Sequence, residues 1–254
     1  MRKILFALLC ACLLPAYAPA AQIIEREMRC PVCGHQFYAK LDAPDADYEM
    51  RLDLKPLGAI PGPWRLPDCE KCGFVIYSSR LSKEELAKAM AAAASPDYRA
   101  SAARSTYYKA GVLFGLLGKP DFLLANTYLK ASWQEENDPA RLKEDLELSL
   151  RHFTACAAAC TGVEKENSQL LIGELLRRLG RFDEARAHLA GLRSEKGFQD
   201  NFFADIVEFQ LGLCDKKDDK PREMVEVKVA KLPLAARLRW RAKKIYLELR
   251  ESLR

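Results

Sequence analysis

At 254 residues the chain is long enough for one large domain or two small ones. Hydrophobic residues at 49% and charged residues at 30% exclude a disordered or collagen-like polymer. A formal charge of only +5 makes nucleic acid an unlikely partner, and nine cysteines in a chain this long do not make a small disulfide scaffold, so each needs its own account.

The chain opens with Arg2 and Lys3, then an apolar run from Ile4 to Leu14 that Pro15 ends, then the small-residue stretch Ala16-Tyr17-Ala18-Pro19-Ala20-Ala21. This is the three-part pattern of a secretory signal peptide over residues 1–20, with cleavage expected after Ala20. The apolar run is too short to span a bilayer as a helix. Two other readings are a buried N-terminal helix and a lipoprotein anchored through Cys12 in Leu9-Cys10-Ala11-Cys12. Export predicts a soluble periplasmic or extracellular protein in an oxidising compartment, with seven cysteines and a charge of +3 once Arg2, Lys3, Cys10 and Cys12 are gone.

Residues 22–80 are rich in Pro, Gly, Asp and aromatics. Alternation predicts strands over Ile24–Met28, Gln36–Lys40, Tyr48–Leu54 and Phe74–Tyr77, with a loop around Pro56, Gly58, Pro61, Gly62 and Pro63. Two matching motifs stand among them: Cys30-Pro31-Val32-Cys33-Gly34 and Cys69-Glu70-Lys71-Cys72-Gly73. Two thiolates three positions apart grip one ion from a tight turn, and the following glycine takes positive φ so that backbone N–H groups turn toward sulfur. Four such ligands (Cys30, Cys33, Cys69 and Cys72) suit tetrahedral Zn²⁺ in a structural zinc ribbon with no open position for water. The spacing from Cys33 to Cys69 exceeds that of a usual ribbon, so the hairpin carries an insertion. Two disulfides among the four, or a redox pair Cys30/Cys33, are the rival readings.

Residues 82–214 read as helical. The capping box Ser82-x-x-Glu85 and the starts Ser95-Pro96-Asp97 and Asp138-Pro139 predict about seven helices beginning near Lys83, Pro96, Pro120, Pro139, Glu164, Phe182 and Gly197. Gly118 and Gly180 fall where helices end. Between Leu170 and Leu192, Gly173 allows close approach, Gly180 turns the chain, Phe182 fills the turn and Ala185 packs across the hairpin, like a tetratricopeptide repeat. A poorer copy runs through Ala110, Gly111, Phe114, Gly118, Ala125 and Leu129, so the array is degenerate. An unrelated helical bundle is the other reading.

His152, Cys156 and Cys160 share a helix face but span about 12 Å, too far for one ion. They read as part of a small-residue stripe admitting close packing, with two of them sharing an ion with an outside ligand as the other reading and Cys214 a candidate disulfide partner for Cys156 or Cys160. His35 follows the first knuckle without being needed as a ligand, and His188 is expected on the surface. Asp42, Asp45, Asp47 and Glu49 read as a solvated acidic loop rather than hydrolase carboxylates. Residues 215–223 read as a charged linker. The basic tail to residue 254 then carries an apolar stripe of Leu234, Leu238, Ala242, Ile245 and Leu249. This helix is expected to cap the array with a charged outer face; contact with an anionic membrane or an acidic partner is the sharper reading.

The knuckles with Phe37, Trp64 and Phe74, followed by Tyr128-Leu129-Lys130-Ala131-Ser132-Trp133 and the run Leu171 to Gly180, resemble the uncharacterised bacterial DUF2225 family. The resemblance covers roughly Met28 to Gln210. It implies a zinc-ribbon-like module at Cys30, Cys33, Cys69 and Cys72 joined to tetratricopeptide-like helices, and implies no activity. The export signal and basic tail depart from the family pattern. The expectation is therefore a mainly α protein: a short α-superhelix preceded by a small β module. It is expected to be a non-enzymatic scaffold that binds a protein or peptide on its helical surface. An exported thiol–disulfide protein and an unrecognised hydrolase are the alternatives.

Overall fold

The computed structural model describes residues 23–42, 49–58, 62–78, 80–199 and 201–252; the expected leader with Cys10 and Cys12, and the loop residues Asp45 and Asp47, lie outside them. The protein is mainly α, with a small antiparallel sheet at its N-terminal end. Strand β1 (Ile23–Arg29) pairs with β2 (Gln36–Asp42) from Ile23↔Asp42 to Arg29↔Gln36, and the first cysteine knuckle forms their turn. A second, minimal pair joins β3 (Glu49–Met50) to β4 (Pro56–Leu57). Of the strand expected over Tyr48–Leu54, with Tyr48 outside the described residues, only Glu49–Met50 forms, and Phe74–Tyr77 is not a strand. Arg51 bridges to Glu223 and Leu52 donates to the Arg222 carbonyl, so this stretch spends its backbone on the C-terminal part of the chain. Val75 makes one bridge, to Asp68, and donates its own N–H to the Tyr98 hydroxyl.

Eight helices follow in residues 83–215: α1 (Lys83–Ala94), α2 (Pro96–Ala100), α3 (Thr106–Leu116), α4 (Asp121–Gln134), α5 (Pro139–Ala159), α6 (Gly162–Arg178), α7 (Phe182–Leu192) and α8 (Asn201–Asp215). Two more, α9 (Met224–Ala230) and α10 (Leu234–Ser252), complete the described chain. The caps are local and legible. Ser82 and Glu85 exchange side chain-to-backbone bonds, Ser95 accepts from Tyr98 N, and Asp138 accepts from Ala140 N and Arg141 N. The single helix expected from Pro96 is split. Arg104 turns extended to send its guanidinium to Glu135, Glu144 and Asp145, and Ser105 then caps a fresh helix by accepting from Tyr108 N. The start expected at Gly197 is a 3₁₀ turn over Lys196–Phe198, with the α-helix beginning at Asn201.

From α3 to α8 each helix packs on the next in chain order. The hairpins α3–α4 and α6–α7 are built alike. Gly118 N donates to Gly115 O and Lys119 N to Phe114 O; Gly180 N donates to Arg177 O and Arg181 N to Leu176 O. Both glycines take φ near +70°, closing each helix with the same left-handed residue. Gly111 lies under the Tyr128 ring and Gly173 under Leu189, so helices touch through bare backbone. The main core fills the array with Leu129, Phe153, Leu175, Leu189 and Leu192.

Among the described residues, three groups of buried charges tie the helical part together. Arg177 and Glu174, at 0% and 1% exposure, pair at 2.6 Å, and Arg177 Nη1 donates to the Asp218 and Lys220 carbonyls. The charged stretch expected as a linker is thereby fastened to the helical body. Arg51 pairs with Asp53 and Glu136, and Asp53 takes Arg178 at 3.1 Å. Arg104 holds Glu135 and Asp145 and lies 3.6 Å from the centre of the Tyr108 ring. Burial, then the Glu135 charge, pushes the Asp145 carboxyl up to about 8. Burial also acts on Glu135, but the Arg104 guanidinium and the Ser105 amide outweigh it and hold that carboxyl low.

Two outcomes follow for stability. A Cβ on Gly173 would meet Leu189 Cδ2 at 2.5 Å, so Gly173→Ala is expected to cost about 1–3 kcal/mol in urea unfolding while Gly191→Ala, which meets nothing, costs little. Asp145 has a folded pKa above its unfolded value, so its stabilising contribution is full below about pH 4 and is lost as pH rises through about 8. Melting curves from pH 5 to 9 should show this loss, and Asp145→Asn should flatten it.

Candidate metal centre

Each knuckle is a backbone device before it is a ligand set. In the first, Cys30 N donates to His35 O at 2.8 Å and Gly34 N to Cys30 O at 2.9 Å. In the second, Cys69 N donates to Phe74 O at 2.9 Å and Gly73 N to Cys69 O at 2.7 Å. Gly34 and Gly73 have φ of 72° and 71°, which glycine adopts at little cost. The turn aims amides at sulfur as the spacing predicts. The His35 N–H donates to the Cys33 sulfur and the Phe74 N–H to the Cys72 sulfur, the same offset in both copies.

The two knuckles face each other. Cys30 Sγ lies 3.6 Å from Cys72 Sγ and Cys33 Sγ lies 3.6 Å from Cys69 Sγ. All four sulfurs fall within 4.8 Å of one another. A tetrahedral ion with metal–sulfur bonds of about 2.3 Å needs sulfur–sulfur edges of about 3.8 Å. The four thiols match that shape and are not joined as disulfides. The contacts at 3.6 Å run between knuckles, as a shared ion requires and as a Cys30/Cys33 redox pair does not. Cys30 and Cys69 are buried, whereas Cys33 and Cys72 are exposed. The His35 amide lowers the Cys33 thiol to about 7, burial pushes Cys30 up, and partial desolvation of the sulfur together with the other three thiols pushes Cys72 up although its residue is exposed.

Three side chains that sequence spacing did not single out support this centre. Tyr98, buried on α2, receives Val75 N–H at 2.9 Å and donates to the Gly73 carbonyl at 3.0 Å, clamping the second knuckle. Burial lifts its phenol to about 12, so it remains a donor at neutral pH. Lys109, buried on α3, binds Asp68 at 2.7 Å beside Cys69. Glu70 of the second knuckle meets His35 of the first at 3.1 Å, so His35 tethers the knuckles without serving as a ligand. The signal for Tyr98 was its place in the first turn of a Ser95-capped helix. Lys109 carries no local signal.

The other tempting residues go elsewhere. Cys156 and Cys160 form a disulfide with each other, and Cys214, the candidate partner for either, stays free and buried. The reason is local. Cys160 is the extended C-cap of α5, which puts its Cα 5.1 Å from that of Cys156. Reduced, this pair with Glu164 would be a second cluster within 4.8 Å. His152 stacks on Tyr128 and bonds Asp121 at 2.7 Å, away from any ligand role. His188 is half-buried rather than superficial and bonds the Gln169 carbonyl at 2.8 Å, tying α7 to α6. Asp42 is held by Arg65. Asp145 is fully buried beneath Arg104, so its raised pKa belongs to packing.

Comparison with protein-family models, with curated proteins and with solved structures found no match.

Elemental analysis of the purified chain should find one metal ion per molecule, with four thiols newly titratable after chelation. Cys69→Ser should lower metal occupancy severely, and Cys214→Ser should leave it unchanged.

Proposed function

We propose that the chain is an exported, non-enzymatic interaction protein whose Cys30, Cys33, Cys69 and Cys72 hold a structural Zn²⁺ and whose helical array binds a protein or peptide. The single observation that carries the metal half is the set of four sulfurs within 4.8 Å, drawn from two matching knuckles. Zinc bound by all four has no position left for water, so it supplies folding energy rather than catalysis. The paired hairpins with like caps, and helices packed in chain order, support a tetratricopeptide-like reading of α3 to α8 and a kinship with the DUF2225 family. The charged start, apolar run and small-residue stretch of residues 1–20 support export.

The test uses the full chain. A photo-reactive residue placed at exposed Leu116 or Leu123 of the α3–α4 hairpin should crosslink a defined partner, and the same residue at exposed Tyr38 of β2 should not. Crosslinking from Tyr38 alone would move the partner to the cysteine module. Reduction of insulin by the metal-free chain would favour the thiol–disulfide reading instead. N-terminal sequencing of the secreted product should begin at Ala21.

A further inference from the structure

Helix α10 docks the wrong way round for an ordinary surface helix. Its half-buried positions are Ala236, Arg237, Trp240 and Lys244. Trp240 and Arg237 line a groove with Phe209, Leu213 and Val227, and Lys244 binds Glu223 at 2.8 Å. An amphipathic helix normally turns its apolar stripe to the core. Here the stripe faces out: Leu234 is 64% exposed, Leu238 55% and Ile245 55%, with Tyr246 64% exposed at its border. The charged outer face expected for a capping helix is therefore not what the structure presents. Trp240 and Arg237, which line that groove, lie on the side of the helix that meets the body.

The charges around the stripe decide what can cover it. Exposed Arg239 and Lys243 lie along one flank and Arg241 along the other. Over Leu234–Ser252 six basic residues face two acidic ones. A second copy of the helix would set these like-charged rows against each other. The complementary surface is apolar within and negative at its boundary, and no described helix is long and apolar enough to cross a membrane. We infer that α10 is an interfacial helix that lays Leu234, Leu238 and Ile245 into the surface of an anionic phospholipid bilayer, with Arg239, Arg241 and Lys243 at the headgroups. This site is separate from the metal centre and from the helical hairpins of the proposed function, so either can fail without the other.

Vesicle flotation of the full metal-loaded chain tests it. The chain should float with vesicles of equimolar phosphatidylcholine and phosphatidylglycerol, stay behind with phosphatidylcholine alone, and detach at high salt. Leu238→Asp with Ile245→Asp should abolish flotation with the helical circular dichroism unchanged, because both side chains are already in water. Each reversal among Arg239→Glu, Arg241→Glu and Lys243→Glu should weaken binding by about fivefold or more. Tyr38→Asp, on β2, should bind as the unaltered chain does. The inference is overturned if the chain ignores anionic vesicles, or if the Leu238→Asp, Ile245→Asp protein floats equally well. It is also overturned by a lipid-free dimer that this double variant dissociates, which would give the face to a second copy, and by capture of an acidic protein through α10 in place of vesicles.

Discussion

Four sulfurs drawn from opposite ends of the N-terminal module hold it together. β1 is exposed along nearly its whole length and β3–β4 is two residues long, so backbone pairing alone cannot fix this part of the chain. Its apolar interior is borrowed. Phe37, Ala39, Phe74 and Ile76 share one core with Ala89, Ala92, Tyr98 and Leu113 from the first three helices. An ion shared by the two knuckles would fix which face of β2 and which side of Phe74 meet those helices. The first helices are thus seated on the cysteine cluster, and the array grows from them.

Buried ion pairs do a different job. Arg177 with Glu174, Arg51 with Asp53, and Arg104 with Glu135 are each largely withdrawn from water. Such pairs add little net stability compared with well-packed apolar groups, yet breaking one by removing a partner is costly. Their effect here is to fix register. Each guanidinium reaches at least two elements, so a helix displaced by one turn would strand a charge. Among helices where like glycines close only two of the hairpins, these contacts help to hold each helix in place.

Much of the local structure was legible in the sequence. The knuckles, the Ser82, Ser95 and Asp138 caps, and the turns at Gly118 and Gly180 each depend on residues within about five positions, and they formed as read. What escaped depends on distant partners. Nothing near Arg104 announces that three carboxylates thirty to forty residues away will pull it out of a helix. The strand pattern of Tyr48–Leu54 was real as alternation, but its donors found the Arg222 carbonyl and the Lys55 turn instead of a neighbouring strand. Periodicity located the stripe on α10 and could not say which way it faced, because that depends on how the opposite side, with Arg237 and Trp240, meets Phe209, Leu213 and Val227 far along the chain. The Cys156–Cys160 bond was hidden for a subtler reason: uninterrupted helix keeps i and i+4 sulfurs apart, and only the extended cap at Cys160 brings them together.

The insertion that lengthens the spacing between the knuckles has a consequence for how the molecule can be divided. Arg51, Leu52 and Asp53 reach the end of α4 at Glu136, the end of α6 at Arg178, and the backbone ahead of α9 at Arg222. A helical fragment cut away near residue 80 would leave Glu136 and Arg178 without their counter-ions and an apolar hollow where Leu52 packs against Ile206, Leu213 and Val227. The module and the array are distinct in sequence and architecture but not separable pieces. A segment that looks like a loop between metal ligands is the keystone of the helical half, and an engineer shortening it to the usual ribbon length would unseat helices a hundred residues downstream.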